Sequence, residues 1–79
     1  MDYMVVEARY VGGYTIWLRF RDRSAGEIDL GPELHGEVFE RLRDVDVFQG
    51  FRVEGGALEW PGGASFAPEF LHDKIRVTT

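Results

Sequence analysis

The chain has 79 residues, the length of one small domain, so we predict a single domain over residues 1–79. It contains no cysteine, which excludes disulfide bridges and thiol chemistry and favours a cytoplasmic location. We expect no membrane span and no signal peptide, because no apolar run is long enough and the start of the chain carries an acidic residue. The formal net charge of −5 argues against direct binding to nucleic-acid phosphates.

Three strands are predicted near the start of the chain, at residues 3–10, 14–20 and 25–30, because apolar and polar residues alternate there. One face of the first strand carries Met4, Val6, Ala8 and Tyr10, and one face of the second carries Tyr14, Ile16, Leu18 and Phe20. The opposite face of the second strand carries Thr15, Trp17, Arg19 and Arg21. We expect the apolar faces to form the core side of a sheet.

The loops between these strands determine which faces meet, because strand side chains alternate with a period of two. An odd loop at residues 11–13 and another around residues 22–24 bring like faces together. The predicted pairs are Ala8 with Ile16, Val6 with Leu18, Met4 with Phe20, Leu18 with Ile28, Arg19 with Glu27, and Trp17 with Asp29. A three-residue loop normally needs a residue with positive φ, and the second loop has no glycine to supply it.

The middle of the chain is predicted to be helical over residues 33–43, where Leu34, Val38 and Leu42 recur every four residues. Gly36 weakens this pattern, so the regular part is expected to begin at Glu37.

A short turn capped by Asp44 is predicted to carry Val47 and Phe48 and to end at Gly50. Residues 51–54 and 57–60 flank two glycines and predict a hairpin.

Pro68 is expected to begin the last helix, where its missing N–H costs nothing. The predicted order is therefore βββ-α-ββ-α, an α+β fold in which helices pack against an antiparallel sheet.

Several strings, in their order and spacing, resemble the bacterial family called domain of unknown function 2442. They are VVEARYVGGYTIWLRF, GEIDL, GEVFERLRD, FQGFRV and LEWPGGASFAPEFL, and together they cover almost the whole chain. The resemblance implies a small α+β protein, and some family members are encoded beside another small protein in a toxin–antitoxin-like arrangement. It implies no catalytic residues. The family tends to have Asp-Gly in the second hairpin, where this chain has Asp22-Arg23.

Catalysis and metal binding receive little support from the sequence. Ser65, His72 and Asp73 are the residue types of a hydrolase, but the last two are neighbours on one helix and point about 100° apart. No paired ligand spacing joins His72 to His35, and we expect both histidines on the surface. The three Gly-Gly pairs lack phosphate-loop spacing and are interpreted as turns. We therefore predict neither an enzyme nor a cofactor or metal site.

The candidate interaction residues are Trp17, Arg19 and Arg21, which share the face opposite the core. Tryptophan and arginine are enriched in binding hot spots, and both also stack on nucleic-acid bases. The competing interpretation is that Arg19 pairs with Glu27 and that Trp17 is covered by a helix or by Tyr3 and Val5.

We predict a protein-binding module, an adaptor or antitoxin-like partner of another small protein. The alternatives are a nucleic-acid-associated accessory protein and a domain that associates with itself as a homodimer.

Overall fold

Two small antiparallel sheets, with helices between and after them, form the structure, a computed structural model that describes residues 3–77. The first sheet has the order β1-β2-β3 and the second the order β4-β5-β6. The strands are β1 Val5–Gly12, β2 Thr15–Phe20, β3 Ala25–Asp29, β4 Arg52–Glu54, β5 Ala57–Glu59 and β6 Ser65–Phe66. The helices are α1 Glu37–Glu40, α2 Val45–Phe48 and α3 Pro68–Val77, and 3-10 turns lie at Gly31–Glu33 and Arg41–Arg43. The predicted α+β class is confirmed.

In the first sheet like faces meet as predicted, but both predicted registers are wrong by two residues. Ala8 pairs with Leu18 instead of Ile16, and Ile28 pairs with Ile16 instead of Leu18. Moving the register by two keeps every side chain on its face, because strand side chains alternate with that period. Parity therefore predicted the faces correctly and left the pairing partners undetermined.

Turn geometry explains both register differences. The first hairpin pairs Gly12 with Thr15 across a two-residue turn, and a bulge between Tyr10 and Gly12 restores the parity that an odd loop was expected to provide. The second hairpin has an odd loop, at residues 21–23 rather than 22–24, closed by a bond from the Phe20 N–H to the Ser24 carbonyl. Arg23 adopts the positive φ, 75°, that this loop requires.

A second bulge, between Val5 and Glu7, reverses the expected orientation at the start of β1. Val5 lies in the core with 3% of its surface exposed, whereas Val6 is 45% exposed and Met4 37% exposed. The prediction that Met4 and Val6 share the core face with Ala8 is therefore wrong. The extra residue of a bulge moves every side chain before it to the other side of the sheet.

The helical middle segment is shorter and more broken than the predicted helix over 33–43. Only α1 is α-helical there, and it begins at Glu37 as expected, after Gly36 at φ 90°. Leu34 and Leu42 are buried, but Val38 is 53% exposed, so its assignment to the apolar side was wrong. The 3-10 turn after α1 has fewer residues per turn, which ends the four-residue repeat of the α-helix.

The second half follows the predicted elements closely. Asp44 caps α2 by accepting a hydrogen bond from the Asp46 N–H, and Pro68 begins α3. Gly55 and Gly56, with φ of 59° and 83°, form the predicted hairpin turn between β4 and β5. Strand β6 was not predicted, because two residues are too few to show an alternating pattern.

One hydrophobic cluster joins the two sheets, α3 and the middle segment. Trp60 lies within it at 2% exposure and donates its indole N–H to the Phe48 carbonyl at 2.7 Å. The Val5 N–H donates to the Gly56 carbonyl at 2.8 Å, which ties the first sheet to the second. The buried set is Val5, Ile16, Leu18, Phe20, Ile28, Leu30, Leu34, Leu42, Phe48, Leu58, Trp60, Ala64, Phe66, Leu71 and Ile75.

Candidate interaction face on the first sheet

The face of the first sheet opposite the core carries charged residues around one tryptophan. Ile16, Leu18, Phe20 and Ile28 lie on the core side, so the residues between them point away from the core. We call this the outer face. Its residues are Glu7 and Arg9 on β1, Thr15, Trp17 and Arg19 on β2, and Ala25, Glu27 and Asp29 on β3.

Trp17 lies near the centre of the outer face and is half-buried. Its cross-strand neighbours are Arg9 on β1 and Glu27 on β3. The guanidinium carbon of Arg9 is 5.5 Å from the centre of the indole ring, which is cation–π distance. The flat guanidinium therefore covers part of the ring and remains largely exposed itself, at 71% for the side chain.

Glu7 holds two arginines of the outer face at the same time. One carboxylate oxygen lies 2.6 Å from Arg9 Nη2, and the other lies 3.0 Å from Arg19 Nη2. The hydrogen bond from Arg19, and then that from Arg9, lowers the pKa of Glu7 below its ordinary value, because both stabilise the charged carboxylate. The three side chains form a charged network beside Trp17.

The competing interpretation of this face is right that Arg19 forms a cross-strand ion pair, but it named the wrong partners. Arg19 binds Glu7 on β1, not Glu27 on β3, since Glu27 lies opposite Trp17. Val5 is in the core and does not cover Trp17; the group over the ring is the Arg9 guanidinium.

Tyr3, the other proposed cover, packs against His72 instead, with 4.2 Å between the ring centres and the rings tilted by 33°. The structure thus brings Trp17 and Arg19 onto one face with two residues that the sequence reasoning did not select, Glu7 and Arg9. Their position on the polar side of β1 was the available signal, but the wrong register separated Arg9 from Trp17.

Arg21, the third predicted residue, is the first residue of the β2–β3 loop rather than part of β2. Its backbone N–H donates to the Met4 carbonyl at 2.8 Å, and its Nη1 lies 3.6 Å from the Met4 sulfur. Arg21 is therefore at the end of the outer face, beyond the Glu7 network.

Within the described residues, the members of the rejected hydrolase set, Ser65, His72 and Asp73, form no hydrogen bond with one another. His72 Nε2 lies 2.9 Å from the carboxylate of Asp22, in the β2–β3 loop, rather than forming a pair with Asp73. Ser24 donates its hydroxyl to the same carboxylate at 2.5 Å, so the serine faces the acid and not the histidine. That arrangement ties the loop to α3 but offers no base to the serine.

Hydrogen bonds favour the charged form of the Asp22 carboxylate. The Ser24 hydroxyl and N–H, followed by His72, lower the pKa of Asp22 to about 2. The side chain of His72 is only 13% exposed, so the expectation of a surface position is wrong for His72, whereas it is confirmed for His35.

A shallow cleft of about 390 Å³ lies between α1 and the turn after Trp60. Val38, Leu42, Val47 and Ala64 supply its apolar lining, and Glu37 and Arg41 are its charged residues. No group of three or more histidine, aspartate or glutamate side chains suited to a metal ion occurs among residues 3–77. In that same part of the chain no helix is long and apolar enough to span a membrane.

Comparison with known proteins identifies the family. The chain belongs to the family described as protein of unknown function (DUF2442), which it matches over residues 5–77. The family resemblance of the sequence strings is thereby confirmed over nearly the whole chain. No curated protein and no solved structure matches the chain.

Proposed function

We propose that this DUF2442 protein is a protein-binding module, a small cytoplasmic adaptor or antitoxin-like partner of another small protein, and that it is not an enzyme. The observation that supports this proposal is the pair of Arg9 and Trp17 at the centre of the outer face. Trp and Arg are the residue types that contribute most to protein–protein affinity when a partner excludes water from them.

The charged network of Glu7, Arg9 and Arg19 preorganises the outer face for binding. Because Glu7 holds Arg9 and Arg19 in place, less side-chain freedom is lost when a partner covers the face. Arg19 remains 49% exposed, so its guanidinium keeps donors for a second acceptor.

Acidic groups on the same face favour protein over nucleic acid. Glu7 offsets one of the two positive charges of Arg9 and Arg19, and Glu27 and Asp29 on the adjacent strand add two negative charges to the face. A phosphate chain crossing the sheet would meet these carboxylates, which oppose it electrostatically.

The test has two stages, capture and direct titration. The tagged protein is used to recover one stoichiometric partner from its native cells, and that partner is then purified and titrated against the protein. We expect Trp17→Ala to weaken the direct binding by about 30-fold, which corresponds to the loss of a typical hot-spot residue of about 2 kcal/mol.

Arg52→Glu is the matched control for Arg19→Glu, because Arg52 is also an exposed arginine paired with a glutamate, but on the second sheet. Binding that is lost with Arg19→Glu and kept with Arg52→Glu supports the outer face. Unchanged binding in both Trp17→Ala and Arg19→Glu refutes it.

A titration of the protein with single-stranded DNA at low and high salt concentration examines the nucleic-acid alternative. Direct phosphate binding would replace the proposal if the protein binds single-stranded DNA more tightly than it binds any protein and if that affinity falls steeply as the salt concentration rises. Light scattering of the protein alone examines self-association, and a dimer that Trp17→Ala dissociates would show that the outer face binds a second copy.

A further inference from the structure

Strand β3 forms one edge of the first sheet, and the hydrogen-bond pattern shows which of its backbone groups point outward. The Phe20 N–H donates to the Ser24 carbonyl at 2.8 Å, and the Leu30 N–H donates to the Tyr14 carbonyl at 2.9 Å. In an antiparallel pair, residues alternate between those bonded to the neighbour and those directed away from it. Even-numbered residues of β3 thus bond to β2, and Ala25, Glu27 and Asp29 direct their N–H and C=O groups to the free edge.

This edge is uncovered within the part of the chain that the structure describes. No strand pairs with β3 on that side, and no backbone hydrogen bond from another element reaches these three residues there. Their side chains are exposed. Helix α3 packs on the core side instead, where Ile75 lies against Gly26.

The charges along the edge of β3 determine which kind of strand can pair with it. Glu27 and Asp29 both project onto the outer face, two residues apart, and the Asp29 carboxylate is fixed by the Gly31 N–H at 2.9 Å. An antiparallel pair of two β3 strands centred on Glu27 would place like charges directly opposite, which destabilises a sheet. A strand with basic residues at alternate positions meets complementary charges.

We propose that the free edge of β3 accepts an extended basic segment of a partner protein, which adds a fourth strand to the first sheet. Backbone bonds to Ala25, Glu27 and Asp29 hold the segment, and its lysine or arginine side chains lie beside the two carboxylates. The proposal rests on the protein-binding function proposed above and specifies the partner. Since Glu27 pairs with Trp17, only β3 separates the added strand from the tryptophan that carries that function.

The test uses a synthetic peptide, so it does not depend on isolating the natural partner. The probe is the blocked peptide Thr-Arg-Val-Arg-Thr-Arg-Val, and the control is the same peptide with each arginine replaced by glutamate. Amide hydrogen exchange of the protein is followed by NMR with and without each peptide. We expect the arginine peptide to slow exchange at Glu27 and Asp29 at least tenfold and at Gly26 and Ile28 less than twofold, because those amides already bond to β2.

Two charge reversals make the test specific. Glu27→Lys should weaken binding of the arginine peptide at least tenfold and improve binding of the glutamate peptide. Glu54→Lys is the matched control, because Glu54 is an exposed glutamate on the edge strand of the second sheet, and it should leave both affinities within twofold.

Each contrary result overturns the proposal. Equal binding of the two peptides would show that charge does not select the segment. Unchanged exchange at Glu27 and Asp29 would show that the peptide does not bind at the edge of β3. If exchange of the same amides slows as the protein alone dimerises at higher concentration, the edge of β3 pairs with a second copy of the chain. Failure of the peptide test while Trp17→Ala still weakens binding of the natural partner refutes only the strand addition, whereas unchanged binding in both Trp17→Ala and Arg19→Glu refutes the outer face proposed above.

Discussion

The two glycines of the β4–β5 turn should respond very differently to alanine, although they are neighbours in the same turn. Gly55 has φ 59°, and a Cβ built on it meets no atom within 4 Å. Gly56 has φ 83°, and its Cβ would lie 2.8 Å from Met4 Cε and 2.9 Å from Met4 Cβ. Carbon atoms normally contact at about 3.5–4.0 Å, so β1 or the turn must move.

The expected losses follow from these two effects. A left-handed backbone costs an alanine about 1–2 kcal/mol, which is the whole loss expected for Gly55→Ala. Gly56→Ala adds an overpacking cost of about 1–3 kcal/mol, because Met4 is held by its chain neighbour Val5, whose N–H bonds to the Gly56 carbonyl. The summed loss of about 2–5 kcal/mol is a large share of the stability of a chain this small, since proteins gain about 0.05–0.15 kcal/mol per residue.

Urea unfolding followed by circular dichroism and tryptophan fluorescence measures both variants. With a slope of about 1 kcal/mol per M, the unfolding midpoint of Gly56→Ala should lie about 1–3 M below that of Gly55→Ala. The double variant Met4→Ala, Gly56→Ala should recover only part of this difference, because the Met4 Cβ remains in the contact. Equal midpoints for the two glycine variants would show that the close approach of β1 to the turn does not exist in solution.

Three further changes examine the loops. Arg23→Gly should raise the free energy of unfolding by about 0.5–1 kcal/mol, since glycine adopts the φ of 75° without strain, whereas Arg21→Gly should lower it by a similar amount. With its pKa lowered to about 2, Asp22 stabilises the fold above its ordinary pKa of 3.8, and this contribution is lost as pH falls through about 2. Unfolding measured from pH 5 to pH 2 should therefore be less pH-dependent in Asp22→Asn than in the wild type, and identical pH profiles would contradict this role of Asp22. Asp44→Ala should cost about 1 kcal/mol through loss of the α2 cap, and Asp44→Asn should cost much less; equal losses would contradict the capping role.

Local signals in the sequence were enough for the turns and caps of the second half. Gly55-Gly56, Asp44 and Pro68 each act on the few residues around them, so each could be recognised without knowing the rest of the fold. The helix predicted over 33–43 is shorter in the structure, because it begins only after Gly36 and changes to a 3-10 turn after Glu40, and an apolar residue at every fourth position does not show where that change occurs.

The outer face depends on contacts that local signals do not determine. Alternation in β2 was sufficient to place Trp17 and Arg19 away from the core, and it did so correctly. The neighbours of Trp17 are fixed by the bulge between Tyr10 and Gly12 and by the φ of Arg23, and neither has a signature in the alternating pattern.

A register wrong by two residues preserves the face and changes every pair on it, so a candidate face can be predicted while its chemistry is not. The difference matters here because the true register places Arg9 on the indole and both arginines on Glu7. The predicted register placed Arg19 on Glu27 instead, which would have neutralised Glu27. In the observed pairing Glu27 has no arginine within the network and remains an exposed carboxylate on the edge strand, the charge on which recognition of a basic strand depends.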